Sequence, residues 1–212
     1  MRIAILIFDK LTALDAIGPY EVLSRFPGAE LTFVAKEEGL KRTDTGALAI
    51  NADASIDELT DPDLLLVPGG EGSRAMLGDD EILDWIRTAH SSTKYTTSVC
   101  TGALVLGAAG ILDELEATTH WAYLGALGEF GAEPVERRVV EQGKVITAAG
   151  VSAGIDMALH LAALEYGDDA AKAIQLGIEY DPDPPFDAGS PSKAPQEMVD
   201  AIRHGVAAAA LN

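Results

Sequence analysis

The chain has 212 residues, with 34 acidic against 15 basic side chains and a formal net charge of −19. That excess argues strongly against nucleic acid or an anionic membrane as a partner, because both would repel the protein. The length suits one α/β domain with a full core, and no run of about 18 uncharged apolar residues is present to span a membrane. We therefore predict a single domain over residues 1–212.

Three further features of the sequence bear on the protein's surroundings. The acidic residues are dispersed along the chain, a distribution typical of a solvated surface in concentrated salt. Cys100 is the only cysteine, which rules out an internal disulfide and favours a reducing cytoplasm. The apolar N-terminus lacks a small-residue cleavage site and meets Asp9 and Lys10 at once, which favours a first strand over a signal peptide.

The predicted elements alternate between strand and helix. The apolar runs of strand length are residues 2–8, 30–35, 64–68 and 95–99. Helices are expected at residues 19–26, 81–91 and 101–109, and from a Ser152 cap to about residue 166. Residues 139–140 and 145–149 flank Gln142-Gly143 as a hairpin. This order predicts a flavodoxin-like three-layer α/β/α sandwich with a mostly parallel sheet.

The last part of the chain, from about residue 180 to 212, has a different composition. Residues 180–191 hold too many prolines for a helix or an inner strand, which predicts an extended arm. An amphipathic helix is expected from about residue 195 to 210. The aromatic residues Tyr180 and Phe186 leave two roles open for the arm, plain packing or a part in a pocket wall or dimer contact.

Cys100 lies where a predicted strand meets a predicted helix. A sharp turn there would form a nucleophile elbow, projecting the thiol from the carboxyl edge of the sheet toward the amides of Thr101 and Gly102. Helix N-termini lower cysteine pKa values to roughly 3.5–7.5, so we expect an ionised, accessible thiol. The alternative is a buried, inert cysteine.

Two other loops leave carboxyl ends of predicted strands, the edge at which open α/β sheets bind ligands. The first carries Asp15, which partial burial would keep protonated as a proton donor, although it could instead be a helix N-cap acid. The second holds Gly69 and Gly70. The amides of Gly70 and Thr101 could stabilise negative charge on an intermediate, or the diglycine could simply make a tight turn. The Thr101 hydroxyl could hold a water or cap its helix.

His120 is a second candidate base, although a histidine beside a tryptophan is more often structural. No histidine, cysteine and acid cluster indicates a metal, and neither a dinucleotide nor a phosphate-loop motif is present. No cofactor is therefore predicted.

These residues resemble the ThiJ/PfpI superfamily of class I glutamine-amidotransferase-like proteins, and within it the isocyanide hydratase branch. The likeness covers nearly the whole chain. It is carried by Leu14-Asp-x-x-Gly-Pro-x-x-Val-Leu23, Pro68-Gly-Gly-x-Gly72, Ser98-Val-Cys-Thr-Gly102, Ala117-Thr-Thr-His-Trp-Ala-Tyr123, Ala153-Gly-Ile-Asp156 and Pro184-Pro-Phe-x-Ala-Gly-Ser-Pro191.

The resemblance implies a cofactor-free homodimer that adds water to a small molecule, an isocyanide, to give an N-substituted formamide. It assigns Cys100 as the nucleophile, Asp15 as the acid and base, and Thr101 as a residue that positions water. His120 corresponds to a histidine of protease-like and glyoxalase-like relatives. Three alternatives remain: a glyoxalase or peptidase, a redox or stress sensor, and the ligand-binding half of a transcription regulator.

Overall fold

The computed structural model describes residues 1–210, with side chains described as far as residue 206. The chain divides into two compact units, Met1–Ile178 and Glu179–Asn212. No helix among the described residues is long and apolar enough to cross a membrane.

The first unit is built around a large sheet with small accessory strands. Its strands are β1 (Arg2–Leu6), β2 (Glu30–Ala35), β3 (Gly39–Arg42), β4 (Ala49–Ala52), β5 (Ala54–Ser55), β6 (Leu64–Val67), β7 (Tyr95–Val99), β8 (Glu116–Ala117), β9 (Glu133–Pro134), β10 (Val139–Gln142) and β11 (Val145–Ala148). The seven-stranded sheet has the order β10-β11-β7-β6-β1-β2-β5 and is parallel except at the β10–β11 hairpin. The hairpin and the mostly parallel sheet confirm the prediction.

Helices cover both faces of this sheet. They are α1 (Ala13–Leu23), α2 (Ser73–Met76), α3 (Asp80–Ser92), α4 (Gly102–Ala108), α5 (Ala153–Tyr166) and α6 (Asp168–Gly177), and a 3₁₀ segment spans Trp121–Phe130. One core lies between the sheet and α3 and α4, and the other lies between the sheet and α1 and α5. The three-layer α/β/α architecture is therefore confirmed.

Strand β6 shows why the sheet is buried on both faces. All four of its residues are fully buried. Leu65 and Val67 join the core under α3 and α4, whereas Leu64 and Leu66 join the core under α1 and α5. A continuous apolar run is what such an inner parallel strand requires.

The start of α1 differs from the prediction. The helix begins at Ala13 after an extended N-cap residue, Thr12, and Pro19 lies within it. Pro19 is the seventh residue of this helix, so the bond that an N–H there would donate to Asp15 O is missing, and the ring packs against α5, where a Cβ on Gly154 would lie 2.9 Å from Pro19 Cγ. Asp15 therefore lies in the first turn of a helix and not in a loop.

Other local features also depart from the prediction. The short helix α2, the helix α6, the 3₁₀ segment and the strands β3–β5, β8 and β9 were not expected. Ser152 stands at the N-cap position of α5 but makes no side-chain cap. Its hydroxyl instead accepts a hydrogen bond from Arg138 at 3.1 Å.

In the second unit, residues 180–191 form neither helix nor strand, as the proline content predicts. The helix α7 (Gln196–Ala210) follows, close to the expected bounds.

Candidate active site

Cys100 occupies a strained elbow between β7 and α4. Its φ of 56° lies in the left-handed region, where a side chain other than glycine is held only by its surroundings. The Cys100 N–H donates to Ala148 O at 3.1 Å and Ala149 O at 3.0 Å, and Thr119 Oγ1 donates to Cys100 O at 2.6 Å. A Cβ on Gly102 would lie 2.0 Å from Val67 O, so only glycine fits there. These contacts confirm the predicted sharp strand-to-helix elbow at Cys100.

The thiol itself differs from the prediction. Cys100 is only 6% exposed, and burial raises the pKa of its thiol to about 12, with a further contribution from the charge of Asp15. The N–H groups of Thr101 and Val151 act in the opposite direction and are outweighed. The expectation of an ionised, accessible thiol is therefore wrong for this state of the molecule, because desolvation exceeds the effect of the helix N-terminus.

Asp15 is fully buried beside this thiol. The N–H of Gly69 donates to its Oδ2 at 2.9 Å, and its Oδ1 has no partner of standard hydrogen-bond geometry in the described part of the chain. Burial raises the pKa of Asp15 to about 7, although the bond from Gly69 and the Cys100 contact oppose the shift. The raised pKa agrees with the sequence argument, and the alternative role as an N-cap acid is wrong.

Asp15 and Cys100 titrate as a coupled pair. The charge on one group disfavours charge on the other, since both are buried and adjacent. Near neutral pH the pair therefore carries at most one negative charge. When the pair loses one proton, the charge rests on Asp15, because a carboxyl group is intrinsically far more acidic than a thiol, whereas the sequence argument had placed the charge on Cys100.

The glycine loop brings a hydroxyl to the same place. A Cβ on Gly69 would lie 2.5 Å from Thr101 Oγ1 and 3.0 Å from Asp15 Oδ2, so the threonine and the carboxyl group face the same stretch of backbone. The Gly70 N–H donates to Thr101 Oγ1 at 3.0 Å. The expectation that this amide faces a bound intermediate is therefore wrong, because the Thr101 side chain already occupies it. The Thr101 hydroxyl does not cap its helix.

His120 makes its contacts elsewhere. Its Nδ1 accepts the Ala122 N–H at 3.3 Å, and burial lowers the pKa of the ring. A Cβ on Gly150 would lie 2.6 Å from His120 Cδ2, so the ring packs on that glycine. Within the described residues no hydrogen bond joins His120 to Cys100, and with Nδ1 occupied the neutral ring offers a proton on Nε2 and not a free base nitrogen.

Three residues that contribute to the site were not predicted from the sequence. Ser73, which is 1% exposed, hydrogen-bonds Thr101 Oγ1 at 3.0 Å, and no pattern in the sequence marks it. Thr119 lies in the Thr-Thr-His-Trp motif, which could have indicated it. Val151 has a φ of 39° and directs its N–H at the thiol. Among residues 1–206 no group of three or more metal-ligating side chains is assembled.

A buried thiol on a strained strand-to-helix turn, at the carboxyl edge of a parallel sheet, defines an α/β protein of the nucleophile-elbow class. The chain belongs to the DJ-1/PfpI family, whose model matches residues 1–164. The resemblance to the ThiJ/PfpI superfamily is thus confirmed.

Individual relatives match over most of the chain. The isonitrile hydratase of Pseudomonas putida is 43% identical over 203 residues, which cover 96% of this chain and 89% of that protein. The crystal structure of a ThiJ/PfpI family protein from Pseudomonas syringae superposes with a TM-score of 0.94 at 41% identity, covering 97% of this chain and 86% of that one. The transcriptional regulator CdhR of Pseudomonas aeruginosa is 29% identical over 79% of this chain, but the match spans only 50% of the regulator.

Proposed function

We propose that this protein is an isocyanide hydratase, which adds water to an isocyanide to give an N-substituted formamide without a cofactor. The 43% identity to an isonitrile hydratase over 96% of the chain carries this proposal. The paired carboxyl and thiol supply the chemistry that the reaction needs, a nucleophile and a group that can take and return protons.

The resting protonation states favour base-assisted attack. The Asp15 carboxylate accepts the thiol proton as Cys100 Sγ forms a bond to the terminal isocyanide carbon. The same proton then passes to that carbon, which gives a thioimidate, R–N=CH–S–Cys100. No net proton is gained or lost, so the site needs no permanently ionised thiolate, and the high pKa of Cys100 is compatible with catalysis.

Water completes the reaction. Asp15 takes one proton from the attacking water, the water oxygen bonds to the thioimidate carbon, and the nitrogen receives the proton from Asp15. The hydroxyl proton of this adduct then passes through Asp15 to Sγ as the C–S bond breaks, which releases Cys100 as the thiol and forms the formamide carbonyl. The backbone N–H groups of Thr101 and Val151 stabilise the sulfur as it leaves, because both act on the thiol in the resting protein.

The test is direct. Purified protein incubated with an aromatic isocyanide should release the corresponding formamide, detected by chromatography and mass spectrometry. Cys100→Ala should abolish formamide release while its circular dichroism spectrum stays native. A matched control, Thr119→Ser, keeps the hydroxyl that anchors the elbow and should retain activity. Formamide formation by Cys100→Ala would contradict the role of the nucleophile.

We further propose a cytoplasmic homodimer. The single thiol must stay reduced to act, which suits a reducing compartment. Helix α6 buries no residue, and Leu176 near its end is 81% exposed, a feature consistent with a contact surface. Light scattering should give twice the mass of one chain, and Leu176→Asp should shift the protein toward a monomer. A monomeric wild-type protein would contradict this assignment.

A further inference from the structure

Ser73 is a buried hydroxyl that the proposed reaction does not yet include. It begins α2, directly after the glycine loop, and is 1% exposed. Its Oγ lies 2.8 Å from Gly70 O and 3.0 Å from Thr101 Oγ1. A serine hydroxyl carries one proton, so it can donate to only one of these two acceptors at a time.

The neighbouring groups determine whether the Thr101 hydroxyl donates or accepts for each of the two directions of the Ser73 hydroxyl. The Gly70 N–H donates to Thr101 Oγ1 at 3.0 Å and fills one of its two acceptor positions. If the Ser73 hydroxyl donates to the second acceptor position, the Thr101 hydroxyl can make further hydrogen bonds only as a donor. The protein acceptor that faces its proton is Gly70 O at 3.4 Å, which already accepts the Ser73 N–H at 3.1 Å. The Thr101 proton is then available to a bound molecule.

We propose that Ser73 is a positioning residue that makes Thr101 a hydrogen-bond donor to the nitrogen of the thioimidate. The proposal rests on the hydration reaction proposed above. When the water oxygen bonds to carbon, the π electron pair of the C=N bond moves to nitrogen, which then takes the proton that Asp15 removed from the water. A hydrogen bond from Thr101 stabilises that electron pair before the proton arrives.

The two bonds that Thr101 accepts strengthen the one that it donates. Hydrogen bonds in a chain polarise one another, by about 10–30% per bond. The Gly70 amide and the Ser73 hydroxyl thus act on the substrate through Thr101 and do not touch it. This arrangement gives the occupied Gly70 amide a role in the reaction.

The central test is Ser73→Ala. Loss of one net hydrogen bond in the water step should lower kcat by about three- to tenfold, and KM should fall with it, so that kcat/KM, which reports formation of the thioimidate, stays within about twofold. Because only the water step is slowed, the thioimidate should accumulate, and intact-protein mass spectrometry after rapid quenching should show more enzyme carrying the mass of the isocyanide. Ser73→Thr restores the hydroxyl and should restore kcat and remove the excess adduct.

A remote variant separates this effect from lost stability. Thr93 is also buried, and its hydroxyl donates to His90 O at 3.1 Å before the start of β7, at the opposite end of the strand from Cys100. Thr93→Ala should lower the Tm without adding adduct. Unchanged kcat and adduct level in Ser73→Ala would overturn the proposal, as would an equal rise of adduct in Thr93→Ala.

The proton arrangement can also be tested without turnover. Neutron diffraction from deuterated crystals should place the Ser73 deuteron on the line to Thr101 Oγ1, and a Thr101 deuteron directed at Ser73 Oγ would overturn the proposal. If the wild-type protein hydrates no isocyanide, the proposed function fails, whereas the assignment of Ser73 is still decided by this measurement.

Discussion

At the scale of single residues, the pairing of Asp15 with Cys100 predicts the pH dependence of catalysis. With both protons in place the site has no base, and loss of the first proton creates one. Because the pKa of Asp15 is about 7, kcat/KM should rise between pH 6 and pH 8 and then level off. The measurement is kcat/KM for an isocyanide from pH 5 to pH 10.

Asp15→Asn should remove the rise of kcat/KM between pH 6 and pH 8. The remaining ionisation belongs to the thiol, whose pKa burial keeps well above 7, and activity at pH 7 should fall by about 10²–10⁴-fold. Glu21→Gln is the matched control, since Glu21 lies on the same helix but is exposed and paired with Arg25 at 2.9 Å. A limb near pH 7 that survives in Asp15→Asn would remove Asp15 from this role.

The same carboxyl group should lower the free energy of unfolding at neutral and alkaline pH, where it is ionised. Its folded pKa of about 7 lies above the ordinary value of 3.8, so the unfolded chain releases this proton first. The stability that Asp15 contributes is fully present below pH 4 and is lost as the pH rises through 7. Asp15→Asn should therefore raise the free energy of unfolding by up to about 4 kcal/mol at pH 8, and by less at pH 5.

Urea unfolding at the two pH values measures this difference. Glu21→Gln should change stability little at either pH, because its side chain is half exposed. An Asp15→Asn variant less stable than the wild type at pH 8 would show that the carboxylate is solvated or paired in the folded protein. Increased stability combined with lost activity is the usual consequence of removing a strained active-site group.

The sequence located the candidate site residues but not their protonation. The positions of Cys100, Asp15 and Thr101 follow from the order of elements, because the carboxyl ends of parallel strands lie at one edge of the sheet. The pKa of the thiol depends on how many atoms from β11, α5 and α1 surround it, which local pattern does not encode. For the same reason local pattern predicted that the Gly70 amide faces a bound intermediate, although it donates to Thr101 Oγ1.

At the scale of elements, α1 and α5 cross where small residues allow close approach. A Cβ on Gly154 would lie 2.9 Å from Pro19 Cγ and 3.0 Å from Val99 Cγ2, and neither a proline ring nor an inner strand can easily move away. Gly154→Ala should therefore destabilise the protein by about 1–3 kcal/mol. Since Val99 precedes Cys100, activity should fall as well.

Gly177 provides the control for this substitution. It is also a helical glycine, at the end of α6, and a Cβ there meets no atom within 4 Å. Gly177→Ala should be neutral or slightly stabilising, because alanine is the better helix former. Equal urea midpoints for wild type and Gly154→Ala would show that α1 and α5 can move apart without a loss of stability.

The boundaries of helices and strands could be predicted where neighbouring residues in the sequence determine them. Asp79 caps α3 through a bond from the Ile82 N–H, and Gly143 takes the left-handed conformation that the hairpin turn needs. The start of α1 was missed because Pro19 was assigned to the first turn, whereas it is the seventh residue of the helix, where one backbone hydrogen bond is lost. Ser152 was taken as a cap, but Arg138, which directly precedes β10, donates a hydrogen bond to its hydroxyl.

At the scale of the whole molecule, charge rather than packing predicts the response to salt. Even if every one of the 15 basic residues pairs with an acid, 19 acidic charges remain, so net repulsion acts against the compact state. Salt shortens the Debye length from about 10 Å at 0.1 M to about 3 Å at 1 M and screens this repulsion. It also screens the surface ion pairs, but each of those contributes only about 0–1 kcal/mol.

The Tm should therefore rise as KCl is increased from 0.05 to 1 M, measured by differential scanning calorimetry. A triple variant, Glu129→Gln, Glu133→Gln and Glu136→Gln, removes three exposed negative charges and should show a smaller rise with a higher Tm at low salt. Equal salt dependence in the two proteins would mean that salt acts through hydration of apolar surface, because that effect is indifferent to net charge. A Tm that falls with KCl would instead mean that attraction between surface charges outweighs their repulsion, and the acidic surface would then have no role as an adaptation to salt.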